Sequence, residues 1–124
     1  MAVRALSSDP QEASMEIKIQ ERDAVSVAVI SGEIDGKTAP QAQAELIPVI
    51  TSSGKIILDL SAVSFLSSAG LRMLLLLYRQ ATAKDGKVVL VGLSEEIKDT
   101  MSMTGFLKFF VVTDSLDEGV RALD

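Results

Sequence analysis

Two adjacent hydroxyls, Ser67 and Ser68, stand between an apolar run, Ile56-Ile57-Leu58, and a longer one, Met73–Leu77. The first run reads as a buried strand from Lys55 to Leu60, followed by a short polar-apolar connector. The second reads as a helix from about Ser68 to Ala83. A strand that hands over to a helix leaves unpaired N–H groups at the helix N-terminus, where the dipole favours negative charge. A serine in that place can accept a backbone N–H as the cap, which contributes about 1 kcal/mol. It can also carry a phosphate, which adds about −1.5 to −2 charges. The two roles can coexist in the pair. A hydrolytic serine is disfavoured: the chain has no His to act as base, so a Lys would have to serve.

A second stretch invites a chemical reading. Ser31 to Thr38, SGEIDGKT, looks like a phosphate-binding P-loop. That motif needs a Gly five residues before its Gly-Lys-Ser/Thr, and Ser31 occupies the place. Gly32 is one residue too close. Glu33 and Asp35 would put two negative charges in the phosphate cradle. A P-loop also follows a parallel strand, whereas this loop is expected to leave a hairpin. Nucleotide binding is therefore not expected. The loop reads as a surface segment, or as an acidic contact patch formed by Glu33 and Asp35 beside a helix start at Thr38.

Composition removes other chemistry. The absence of Cys excludes disulfides and thiolate nucleophiles, and the absence of His excludes a Ser-His-Asp triad and most zinc sites. No metal or cofactor is implied. A net charge of −5 argues against nucleic acid as a partner. The longest unbroken apolar run, Met73–Leu77, is far short of the ~20 residues a membrane span needs, so no membrane role is expected. Residues 1–14 lack a signal peptide's apolar core and read as a disordered lead. A cytoplasmic location is the default.

The elements that must position these residues follow from periodicity. Met15 to Gln20 alternates as a strand with one wet face, Glu21-Arg22-Asp23 reads as a turn, and Ala24 to Ser31 is a second strand. Thr38 reads as the N-cap of a helix over about Ala39–Thr51, with Pro40 in the first turn and a kink or early end at Pro48. After the Lys55–Leu60 strand and the Ser68–Ala83 helix, Val88–Val91 is a buried strand. Ser94 caps a helix carrying Ile97, Met101 and Met103 that ends at Thr104-Gly105. Phe109–Val112 is a last strand. Ser115 and Glu118 form a capping box for a helix to about Leu123. The order β-β-α-β-α-β-α-β-α predicts an α/β domain over residues 15–124: a mostly parallel sheet of about five strands with about four helices packed on it. Met73–Tyr78 is read first as a helix buried on most sides, the alternative being an apolar strip left open for a partner. Met101, Met103, Phe106, Phe109 and Phe110 are expected in the core.

The chain resembles the STAS-domain family, the anti-sigma factor antagonists, from about Met15 to Leu123. The family's Gly-Glu-(Ile/Leu)-Asp segment with a following Thr-Ala is Gly32-Glu33-Ile34-Asp35 with Thr38-Ala39. Its Asp-Leu-Ser, apolar stretch and Asp-Ser-(Ser/Thr)-Gly-Leu are Asp59-Leu60-Ser61 and Ser67-Ser68-Ala69-Gly70-Leu71. Its late Thr-Gly-(Leu/Phe) is Thr104-Gly105-Phe106. Two departures stand out: Ser67 replaces the family's Asp, and Ala69 replaces the commoner Ser or Thr.

The resemblance implies a STAS-type fold and a non-enzymatic switch. The unphosphorylated antagonist binds an anti-sigma factor, a serine kinase of the histidine-kinase-like ATPase fold, and frees a sigma factor. Phosphorylation at Ser68, with Ser67 as second choice, dissociates the complex, and a PP2C-type phosphatase resets it. The implied partner-binding residues are Glu33, Asp35, Thr38, Ser67, Ser68, Ala69, Gly70 and Leu71. The protein itself is expected to be a monomer or weak dimer. The competing reading is a constitutive STAS binding subunit of a transport or stress-sensing assembly.

Overall fold

The computed structural model describes residues 15–22 and 25–123, so the expectation of a disordered lead over residues 1–14 lies outside it. Five strands form one sheet in the order β1-β2-β3-β4-β5. They are β1 Met15–Arg22, β2 Val25–Ile34, β3 Lys55–Leu66, β4 Lys87–Val91 and β5 Val111–Thr113. Strand β1 runs antiparallel to β2, and every later pairing is parallel. Among the described residues four helices alternate with the strands: α1 Ala39–Ser53, α2 Ser68–Thr82, α3 Glu95–Thr104 and α4 Leu116–Ala122. The mixed, mostly parallel sheet with four helices is the architecture that the element order predicts.

The central strands bury both faces, which is why they read as unbroken apolar runs. Ile56, Leu58, Val88 and Leu90 join a large core with Leu46 and Ile50 of α1, Leu74 and Leu77 of α2, and Ile97 and Met101 of α3. Ile57, Val89 and Val91 turn the other way, toward Val120 of α4 and Leu123. Helix α2 is buried on most sides: Met73, Leu74 and Leu77 are in the core, and Leu75, Leu76 and Tyr78 are half-buried. The open-strip alternative for Met73–Tyr78 is thereby set aside. No described helix is long and apolar enough to cross a membrane.

Several local expectations are corrected. Strand β3 does not stop at Leu60, and no connector follows. It continues to Leu66 while β2 continues to Ile34, and the two pair throughout with register shifts after Val29 and Gly32. Each shift is a bulge that puts an extra residue into β3, which lets pairing survive where strict alternation fails. Glu21 and Arg22 lie in β1 rather than in a turn, and Arg22 donates to Asp117 of α4. Helix α1 runs through Pro48 to Ser53. Pro48 and Ala44 are exposed, so the Ala44 carbonyl left without a donor at Pro48 falls on the solvent side. The segment Leu107–Phe109 is a 3₁₀ turn, and the last strand begins at Val111. Met103 is 86% exposed whereas Met101 is fully buried, because two residues along a helix turn a side chain by about 200°. Phe109 lies at the surface, while Phe110 packs inside.

Candidate functional site

The β2–α1 and β3–α2 loops lie side by side, because Ile34 and Leu66 are register partners on adjacent parallel strands. The Ser67 backbone N–H donates to the Ile34 carbonyl at 2.9 Å and ties the loops together. Crevices outside the carboxyl ends of parallel strands are where α/β sheets present functional residues.

The serine pair divides its labour. Ser67 is the N-cap of α2: its backbone is extended and its Oγ accepts the Gly70 N–H at 3.3 Å. Its carbonyl accepts the Leu71 N–H at 2.9 Å. Ser68, the first residue of α2, is exposed, and its hydroxyl has no partner among the described residues. Gly70 is buried against the loop of the neighbouring strand. A Cβ there would meet Leu66 Cδ1 at 2.6 Å and the Ile34 carbonyl oxygen at 3.0 Å. A residue without a side chain therefore lets α2 start hard against β2, which fixes where Ser68 emerges.

The loop after β2 is stapled by one carboxylate. Asp35 Oδ1 accepts the N–H groups of Lys37 at 2.9 Å and Thr38 at 3.1 Å, and the Asp35 carbonyl accepts that of Ala39 at 2.8 Å. Asp35, not Thr38, does the capping. The Thr38 hydroxyl is buried and turned back: it donates to the Glu33 carbonyl at 2.9 Å and accepts the Asp35 N–H at 2.8 Å. The N–H groups of Thr38 and then Lys37 hold the Asp35 carboxyl below its ordinary value, against a smaller upward push from desolvation. The same geometry bears on the P-loop resemblance. The topological objection fails, since β2 pairs in parallel with β3 and leads into a helix. The chemical objection is stronger than expected, because two amides that would cradle a phosphate already serve Asp35.

Of the residues singled out from sequence, Glu33 and Ser68 are exposed, Asp35, Ser67 and Ala69 are half-buried, and Thr38, Gly70 and Leu71 are buried. The buried three shape the two loops. Sequence reasoning missed Phe65, which is 50% exposed, the register partner of Glu33, and three residues before Ser68. It also missed the cleft of about 110 Å³ that Phe65 lines with Ser64, Leu66 and the α3 residues Glu96, Ile97 and Thr100. The available signal was an aromatic residue in a stretch read as connector.

A model of the STAS domain matches residues 16–119. The chain belongs to this family. The STAS domain described here is similar to BtrV of Bordetella bronchiseptica, with 29% identity over 109 residues, 87% of this chain and 94% of that protein. It is similar to the anti-sigma-B factor antagonist of Listeria monocytogenes, with 30% identity over 94 residues, 74% of this chain and 82% of that one. Among solved structures, an anti-sigma factor antagonist from Mycobacterium paratuberculosis superposes with a TM-score of 0.80 at 32% identity, over 89% of this chain and 94% of that chain.

Proposed function

We propose that this STAS domain is a cytoplasmic anti-sigma factor antagonist whose partner is a serine kinase of the histidine-kinase-like ATPase fold. The unmodified chain binds the kinase and so releases a sigma factor. Phosphorylation of Ser68 ends the complex, and a PP2C-type phosphatase restores it. The protein is the kinase's substrate and not itself an enzyme.

The carrying observation is the division between the serines: Ser67 is spent as the helix cap, and the Ser68 hydroxyl is exposed and unengaged. A kinase can reach it without unfolding anything. The names of the Listeria and Mycobacterium relatives support the reading. The surface around Ser68 supplies both a contact and a means of ending it. Phe65 and the α3 cleft offer apolar area, and Glu33 lies alongside. A phosphate set into that contact adds bulk and charge that must be desolvated, so it weakens the complex.

The test is affinity in two states. The cognate kinase is titrated with the unmodified chain and with the chain carrying phosphoserine at position 68. The unmodified chain is expected to bind at least about tenfold more tightly, a difference of about 1.4 kcal/mol. Equal affinities would leave a constitutive binding subunit as the better description.

A further inference from the structure

Ser68 and Arg72 stand four residues apart on α2, and both are exposed. That spacing puts them on one helix face with Cβ atoms about 6 Å apart. Among the described residues Arg72 makes no ion pair and no side-chain hydrogen bond. Several of the basic side chains are engaged elsewhere: Arg22 with Asp117, Lys98 with Glu95 and Asp114, Lys55 and Lys87 with the carbonyls of Leu123 and Ala122. An unpaired guanidinium one turn from the unengaged hydroxyl is notable on a chain with more acidic than basic residues.

We propose that Arg72 is the counter-charge for a phosphate on Ser68. The inference rests on the reading of Ser68 as the phosphoacceptor and adds how the modified state is held. An acid four residues before a base is the favourable order on a helix, since it also agrees with the dipole. The guanidinium fork matches the geometry of phosphate oxygens. The other charges on the adjoining loop are Glu33, Asp35 and Lys37. Glu33 repels a phosphate, and the Asp35 carboxylate is bound to its own amides. Lys37 is exposed and sits in the loop before α1, not on the α2 face that carries Ser68. Arg72 is the cation that shares a helix face with the phosphate. It is available to a partner while Ser68 is unmodified, and it is withdrawn onto the protein's own surface once Ser68 is phosphorylated.

The experiment needs no kinase. Phosphoserine is installed at position 68 by genetic encoding, and the second phosphate pKa is followed by ³¹P NMR titration. Arg72→Gln is expected to raise that pKa by about 0.3, the size of a helical i,i+4 pair. Arg72→Lys should restore most of the difference, and Lys37→Gln should leave it unchanged. Unphosphorylated Arg72→Gln should melt with the native chain, which separates charge pairing from a structural role. A phosphate pKa that ignores Arg72→Gln, or that moves equally with Lys37→Gln, overturns the proposal. Because the phosphate is supplied directly, a native chain that no kinase modifies would count against the proposed function and leave this result standing.

Discussion

Removing each serine hydroxyl in turn should have opposite consequences for stability. Ser67→Ala deprives the Gly70 N–H of its acceptor at a half-buried helix start. The loss of such a cap costs about 1 kcal/mol. Ser68→Ala removes a hydroxyl that bonds to nothing in the described structure and puts a better helix former at the first position of α2. Its effect should stay within about 0.5 kcal/mol, with the sign favouring the variant. A folded unit of roughly 110 residues has an unfolding entropy near 0.23 kcal/mol/K at about 60 °C, so 1 kcal/mol moves Tm by about 4 °C. Scanning calorimetry should therefore show Ser67→Ala melting about 4 °C below the native chain and Ser68→Ala within about 2 °C of it. Urea titration should give the same ranking with an unchanged slope. Ser67→Asp, which installs the residue the family pattern carries, should keep the cap and the Tm. If Ser68→Ala lost as much as Ser67→Ala, the hydroxyls would have been assigned the wrong way round, and Ser68 would not be the free one.

Two further expectations concern the loop after β2. Thr38→Val nearly preserves volume but strands the Glu33 carbonyl and the Asp35 N–H, both partners of a buried hydroxyl; urea unfolding should show a loss of about 1–3 kcal/mol, and a neutral result would mean water reaches these groups. Asp35 has its folded-state pKa lowered, so its contribution is fully present above the unfolded value of 3.8 and disappears as pH falls through the folded value. The stability gap between the native chain and Asp35→Ala should therefore narrow on acidification below 3.8, and a gap that stayed constant or widened would contradict the hydrogen-bonded carboxylate.

The sequence made the fold legible wherever pattern and period agreed. Ile56-Ile57-Leu58 and Val88–Val91 announced buried strands, and Ser94 and the Ser115–Glu118 pair announced caps that accept their expected N–H groups. The ends of β2 and β3 were not legible, since bulges break the alternation that marks a strand. Asp35 reads as a surface charge in the sequence because its role depends on a turn that only the folded loop reveals. The pattern does not say which serine caps α2, for the same reason: Ser67 and Ser68 are both good caps, and one residue of helix phase decides between them. Met103 falls outside the core because the buried stripe of its helix is narrow, with Ile97 and Met101 its only buried members.

The most direct measurement is the position of the phosphate. The native chain, Ser67→Ala and Ser68→Ala are each incubated with the cognate kinase and ATP, then read by intact mass and fragment mapping. One phosphate should appear on the native chain and on Ser67→Ala, at Ser68 in both, and none on Ser68→Ala. A Ser68→Ala chain that still gains a phosphate, or a native chain that gains none while binding the kinase, would contradict the account.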